Sequence, residues 1–521
     1  MGEAVFVGVD AGTTGVLAAA FDGRGQPLAQ HYREYRCLYP APGWVEQDMD
    51  DVWAAICETL QATAAQLRDR AAEIVSLGLS SQRGSFVLLD ETRRPLGPAI
   101  VWNDARATEM EAELASRIQP DRYRAVAGMP MSGFWAIGKM MWVRKHQPAL
   151  YERARWMCNG QEYFLYRLGA EHLETDPASQ TLSGMLDIHA LGWSNEICTA
   201  AAIDTGLLPP IGAPGAYVGT VSSEASAMTG LRAGTALCRG AGDQQCAALG
   251  AGVVRPGSAE ITMGTSAMMV AHLDHPSQVK APGKIYLGGH AVAGKWDMEG
   301  GAFSIGSCLR WWRDNFCGEI ARSGSAGKTY ERIVGEAVTA PAGAAGLIFH
   351  PFFAGQVTPH YDTRVRGGFY GLTLAHDRAA MARALLEGCA CEIRMMGDAL
   401  DGSLVGRIDN LMVTGGMSRS PVFLQLLANV MNRPLTTLSY PECSVLGAAM
   451  LGAVGSGECG SAEDAVDRFV LPGAVIEPEP DRHVYEDVFG LFRDIYRAGE
   501  ASGLHHRIFD HQNRGRSAVH P

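Results

Sequence analysis

Three sets of residues in this sequence could do chemistry together. The first is a turn, "DAGTTG", in which Asp10 closes an apolar run and Gly12, Thr13, Thr14 and Gly15 lead into a second one. Half a chain later, Gly264, Thr265 and Ser266 repeat the pattern inside "AEITMGTSAMMVAHLD". Such turns offer backbone N–H groups and short hydroxyls, the donors that phosphate oxygens need. Asp10 beside them could organise a magnesium ion near phosphates, through water. The second set is "GAGDQQ", where Asp243 stands between a glycine-rich bend and a helix. A carboxylate there could accept the proton of a hydroxyl attacking a γ-phosphate. Each feature also has a plainer reading: hairpin chemistry for the threonines, an Asx turn for Asp10, a helix cap for Asp243. No Gly-x-x-x-x-Gly-Lys-Ser/Thr run is present, so this is not the P-loop solution.

The third set suits a polyhydroxylated ligand. "SSQRG" follows an apparent strand and supplies Gln82 and Arg83; "VWNDARA" supplies Trp102, Asn103, Asp104 and Arg106. An aromatic wall beside amide and carboxylate partners holds a sugar by one apolar face and one hydrogen-bonded edge. The alternative is a core tryptophan, with Arg106 pairing Glu109 or Glu113 along a helix.

The elements that must position these residues are legible. Val5–Val9, Val16–Phe21 and roughly Pro27–Tyr35 read as three antiparallel strands, joined first by an open loop. From Asp50, a helix carries Val52, Ile56, Leu60, Ala64 and Leu67 on one face. "IVSLGLSSQ" and "SFVLLD" return to strand character, which makes the beginning an α/β domain. The repeated turn suggests a duplicated domain facing one cleft. "NLMVTGGMSRSPVFLQLLANVMNRPL" reads as strand, Gly-Gly turn and helix, and "SVLGAAMLGAVG" as a small-residue helix packed closely against a neighbour. Trp311, Trp312 and Phe316 are assigned to the core. The end, "HHRIFDHQNRGRSAVHP" with Arg507, Arg514 and Arg516, has the composition of a mobile, solvated terminus.

The bulk numbers agree. A chain of 521 residues exceeds what one core of at most ~300 residues supports, so at least two domains are expected. Hydrophobic residues make up 47%, and a net charge of −12 argues against sequence-independent binding to nucleic acid or an anionic membrane. No stretch reads as a leader or a membrane span. Twelve scattered cysteines, without ligand-like spacing, point to a reduced, cytoplasmic chain.

Taken in order, these segments resemble the carbohydrate kinases named for their Phe-Gly-Gly-Tyr signature, from Val5 to about Gly455. Asp10-Ala11-Gly12-Thr13-Thr14 is similar to the family's first phosphate turn and Gly264-Thr265-Ser266 to its second. Lys139, Trp142 and Pro148 match a further family stretch, "RGGFYGLT" resembles the strand entering the last nucleotide-binding portion, and Gly415-Gly416-Met417-Ser418 is similar to the loop beneath adenine and ribose. The resemblance implies an α/β fold of two actin-like, ribonuclease-H-like domains with the nucleotide cleft between them. The boundaries expected are 1–250 for the sugar-binding domain, 251–455 for the ATP-binding domain and 456–521 for a C-terminal extension. It implies ATP and Mg²⁺ as cofactors, Asp243 as general base in contact with the substrate, Asp10 and Asp243 on the metal side, and a homodimer as a common family state. Gln82, Arg83, Trp102 and Asp104 would then meet the sugar or polyol. Gln82-Arg83 resembles the glycerol kinases, but their following Glu is Gly84 here, and the Met and His of the xylulose kinases are absent. Trp102-Asn103-Asp104 is closer to the pentulose kinases. Room at Gly84 favours a ketopentose, xylulose first; glycerol, erythritol, ribulose and a signalling dione are the alternatives. A nucleotide switch of the actin type and a non-catalytic sugar-binding regulator are the readings from other classes.

Overall fold

The computed structural model describes residues 4–280, 285–318, 326–480 and 482–517. Its first half is built on a six-stranded mixed sheet. The strands are β1 (Val5–Ala11), β2 (Gly15–Phe21), β3 (Pro27–Glu34), β4 (Ile74–Ser81), β5 (Tyr217–Thr220) and β6 (Ala236–Gly242). Their spatial order is β5-β6-β4-β1-β2-β3. β1 pairs antiparallel with β2 and parallel with β4, and β4 pairs parallel with β6. Alternation places Val5, Val7 and Val9 on one face, against a helix, α1 (Met49–Leu67), that packs on β2 and β3. All five residues of the anticipated helical face are buried, and Asp48 caps α1 by accepting from the Asp50 N–H at 2.8 Å.

The second half repeats this plan. Its strands are β7 (Ser258–Met263), β8 (Ala267–Leu273), β9 (Tyr286–Gly289), β10 (Trp296–Ala302), β11 (Asn410–Thr414), β12 (Leu435–Leu438) and β13 (Pro472–Ile476). The order β10-β8-β7-β11-β12-β13 matches β3-β2-β1-β4-β6-β5 position for position, with the same parallel and antiparallel pairings. β9 adds one strand beyond β10. These are two α/β domains with mixed sheets flanked by helices, consistent with a ribonuclease-H-like core, and the shared order supports the duplication.

The halves lock together through two helices, α2 (Asp243–Gly250) and α3 (Cys443–Gly455). α3 follows β12 of the second half in sequence, yet it lies on β1, β4 and β6 of the first. The approach is so close that a Cβ at Gly8 or Gly78 would fall 1.9 Å from the carbonyl oxygen of Val445 or Ala448. This is what the small-residue run is for. Phe6, Ala19 and Phe21 share a buried cluster with Val445, Leu446, Ala449 and Met450.

The C-terminal end differs from expectation. Residues Leu504–Ser517 form a helix that packs on the fold. His505 is buried and its ring Nε2 meets the Tyr496 carbonyl at 3.0 Å; His506 meets Asp362 at 2.6 Å, and Arg366 stacks over Phe509. The reading by composition missed these anchors because two histidines and a phenylalanine do the docking, and the composition is otherwise that of a solvated end. Arg507 and Arg514 are exposed; the Arg516 side chain lies outside the described residues. Trp312 is fully buried and Trp311 partly so, whereas Phe316 is 40% exposed at the helix end. All twelve cysteines are unpaired thiols. Among the described residues, no helix is long and apolar enough to cross a membrane.

Candidate active site

The catalytic candidates meet where the strand ends of the first sheet open. Parallel pairing sets Asp10 of β1 opposite Ser80 of β4, and the Ser80 hydroxyl donates to the Asp10 carboxylate at 3.1 Å. Burial, then repulsion from Asp243, pushes the Asp10 carboxyl up to about 7, with Glu442 adding a smaller push. Asp243 begins α2 directly after β6, and its carboxylate accepts from the Gln244 N–H at 2.9 Å. Its carboxyl is also raised by burial, against the lowering pull of Arg83. Two carboxylates that disfavour each other's charge leave room for a cation or for a proton taken from a substrate. Among the described residues, no three His, Cys, Asp or Glu side chains converge on one metal position. The donor set therefore fits a divalent ion that brings phosphate and water ligands with it better than a ready-made protein cage.

Arg83 is the cation of the site. It is 4% exposed, its Nε stands 3.6 Å from Asp243, and its two terminal nitrogens each donate at 2.7 Å to the fully buried Glu299 of β10. Gln245 of α2 donates to Glu299 at 3.0 Å and to Asp297 at 2.9 Å. Burial, with Glu299 alongside, lifts the Asp297 carboxyl well above the carboxylate range. Sequence reading missed Glu299, Asp297 and Gln245. No local pattern marks Glu299 and Asp297, because they join the site only when the second sheet meets the first; Gln245, two residues after Asp243, gains its partners only then.

Next to this cluster lies a closed ring of polar contacts. The Trp102 indole N–H donates to the Thr13 hydroxyl at 3.0 Å, which donates to the Gln82 side-chain oxygen at 3.0 Å. The Gln82 amide donates to Gln47 at 2.6 Å, and Gln47 returns to the Thr13 carbonyl at 2.6 Å. Thr13 thus already spends its one hydroxyl proton, whereas Thr14 is exposed and free to face a ligand. The Trp102 ring is 39% exposed. Beneath it, the buried Lys139 donates to the carbonyls of Val101 and Trp102 at 2.8 and 2.7 Å and holds the loop. Burial pulls the Lys139 ammonium down to about 7.

Asp104 lies deeper, with no exposed surface. Arg106 takes both its oxygens at 2.9 and 2.8 Å, and the Val45 N–H donates to it at 2.6 Å, so Asp104 braces the Trp102 loop from behind. Arg106 lies 3.9 Å over the Trp44 ring and reaches Glu46, not Glu109 or Glu113. Gly84 has a φ of +70°, and a Cβ there would sit 3.2 Å from the Leu182 side chain and 3.5 Å from that of Trp102. Its glycine is required by backbone conformation as well as by space.

The remaining candidates gather on the second half. Gly264 and Thr265 are exposed between β7 and β8, where the Gly264 N–H donates to the Ser266 carbonyl at 2.8 Å. The helix Ile305–Phe316 starts against them: the Ser307 N–H donates to the Thr265 carbonyl at 3.1 Å. Gly415, at φ +79°, lies against Met263, so the loops after β7 and β11 adjoin. Ser418 donates back to the Gly415 carbonyl at 2.7 Å, and Gly416 has open space around it. Exposed glycine backbone, a threonine hydroxyl and a helix start are what a nucleotide's phosphates and ribose would need there.

Comparison with known proteins accords with this geometry. Residues 5–250 match the FGGY family of carbohydrate kinases, N-terminal domain, and residues 259–456 its C-terminal domain. A xylulose kinase of Lactococcus lactis is 27% identical over 98% of this chain and 99% of its own. A glycerol kinase of Bordetella parapertussis is 30% identical over 86% of this chain and 88% of its own. The crystal structure of a gluconate kinase from Lactobacillus acidophilus superposes with a TM-score of 0.87 at 25% identity, covering 96% of this chain and 99% of that one. The chain belongs to the FGGY family of carbohydrate kinases.

Proposed function

We propose that this protein transfers the γ-phosphoryl group of ATP to a hydroxyl of a neutral sugar or polyol, with a ketopentose such as xylulose as the leading acceptor. The observation that carries this reading is Asp243: a carboxylate at the start of α2, beside Nε, the one nitrogen of the buried Arg83 side chain left without an acceptor. An acceptor hydroxyl between them could accept from Arg83 Nε while donating its proton to Asp243. The raised Asp243 carboxyl suits a group that must take a proton as the oxygen attacks. The exposed Trp102 ring offers an apolar wall to the carbon skeleton.

Charge narrows the acceptor. The relatives include kinases named for xylulose, glycerol and gluconate. In this site Glu299 already neutralises Arg83, and the neighbouring Asp10 and Asp243 carboxyls offer no cation. A sugar acid would bring a carboxylate to an arginine that is already paired, so a neutral acceptor fits better. ATP would lie along the Gly264–Ser266 turn and the Gly415–Ser418 loop, with Thr14 reaching it from the first half. Asp10 would hold Mg²⁺ through water, and that ion would supply charge neutralisation at the transferred phosphate.

ADP formation should be measured with xylulose, ribulose, erythritol, glycerol, gluconate and a signalling dione. The expected result is acceptor-dependent ADP release, strongest with a ketopentose and weakest with gluconate. No stimulation by any acceptor overturns the kinase reading; gluconate as the best acceptor overturns the charge argument.

A further inference from the structure

We infer that Glu299 is a positioning residue: it aims Arg83 at the acceptor hydroxyl from across the junction of the two halves. This rests on the kinase reading given above. Arg83 belongs to the loop after β4 of the first sheet, and Glu299 to β10 of the second. The pair is bidentate, with both distances 2.7 Å and both side chains buried. A planar guanidinium gripped through its two terminal nitrogens has no remaining freedom of direction. Its third nitrogen, Nε, then stands 3.6 Å from Asp243, and its N–H has no acceptor. The gap is too long for a direct hydrogen bond.

Two further contacts fix the grip. Gln245, two residues after Asp243 on α2, donates to Glu299, so the helix that carries the base also holds the clamp. Gly242 lies against the Arg83 stem; a Cβ there would fall 2.3 Å from its Cδ. The hairpin that carries Glu299 is itself seated on the first half. The Leu287 N–H donates to Gly128 at 2.9 Å, the Gly289 N–H to Thr181 at 3.2 Å, and the Trp296 indole to Ile188 at 2.5 Å. Glu299 therefore makes the direction of Arg83 depend on correct seating of the second sheet. Without Glu299, Arg83 would be left with Asp243, 3.6 Å from its Nε, as an ion-pair partner, and by turning to it would occupy the position the hydroxyl needs.

The test compares Glu299→Gln, Arg83→Gln and the double variant with the wild-type enzyme, using the best acceptor of the panel. Glu299→Gln should lower kcat/KM for the acceptor about 10²-fold, the cost of a misplaced group, while KM for ATP stays within about twofold. Because Glu299 acts only through Arg83, the double variant should be no slower than Arg83→Gln, within about twofold. Glu299→Asp, which keeps the charge, should recover part of the loss. Equal loss toward ATP and acceptor, losses that multiply in the double variant, or a Glu299→Gln enzyme of wild-type efficiency each overturn the inference. Should Glu299→Gln fail to fold, Arg83→Met with Glu299→Met, which removes the pair together, is compared with Arg83→Met by the same criterion. An inactive wild-type enzyme would instead remove the kinase reading, and the inference with it.

Discussion

At the scale of single residues, the site economises on charge. Arg83 is matched by Glu299 and Asp243, Lys139 by two carbonyls, and several buried carboxylates are held toward their neutral form. Glu260 is one of them. It lies buried in β7, accepts from Thr262 at 2.5 Å and from Thr414, and so ties β7 to β11 just before the Gly415 loop. Burial pushes its carboxyl from 4.5 up to about 7. Between those values the folded protein holds a proton that the unfolded chain has released, so this group's contribution to stability falls as pH rises through the window and levels off above it. Glu260→Gln, which cannot ionise, should therefore melt higher than wild type at pH 8, with the gap closing as pH falls toward 4.5. A gap that is constant with pH, or that widens on acidification, contradicts this assignment. The residue types in the site were legible in the sequence where they sit beside glycine turns, as Asp10, Thr13 and Asp243 do. Asp104 and Gln82 were found as members of the site region, but their partners Arg106, Val45 and Gln47 show them bracing it. Which way a polar side chain faces depends on contacts that local spacing does not contain.

At the scale of elements, period and composition carried most of the fold. An apolar run marked β1, which is buried on both faces, and a 3.6-residue period marked α1, which buries one. The small residues of α3 marked a close packing surface without naming its partner. That partner is the sheet of the other half, through Gly8 and Gly78. Gly78→Ala should force α3 off the sheet and cost about 3 kcal/mol, the upper end for overpacking, read as a lowered midpoint in chemical denaturation. An unchanged midpoint would show that the helix can retreat without loss. The terminal helix Leu504–Ser517 is the element composition hid, since its anchoring depends on Asp362 and Arg366 far back in the chain.

At the scale of the whole molecule, two copies of one sheet plan face each other, and the chain crosses between them in both directions. α3 serves the first sheet from the second half, and β10 sends Glu299 into the first half's site. Phosphate-type turns stand at equivalent places in both, between β1 and β2 and between β7 and β8. Only the first adds Asp10 before its turn, and Asp243 stands after β6 of that same sheet, so the duplication is uneven where chemistry is concerned. That asymmetry assigns the reacting hydroxyl to the first half and the nucleotide to the second in the function proposed here. The claim rests on Asp243 as the base, and the most direct measurement is acceptor-dependent ADP formation by wild type and Asp243→Asn, with ATP affinity measured alongside. The account predicts a kcat lowered by at least about 10²-fold with ATP binding nearly intact. A variant that turns over at close to the wild-type rate would contradict it.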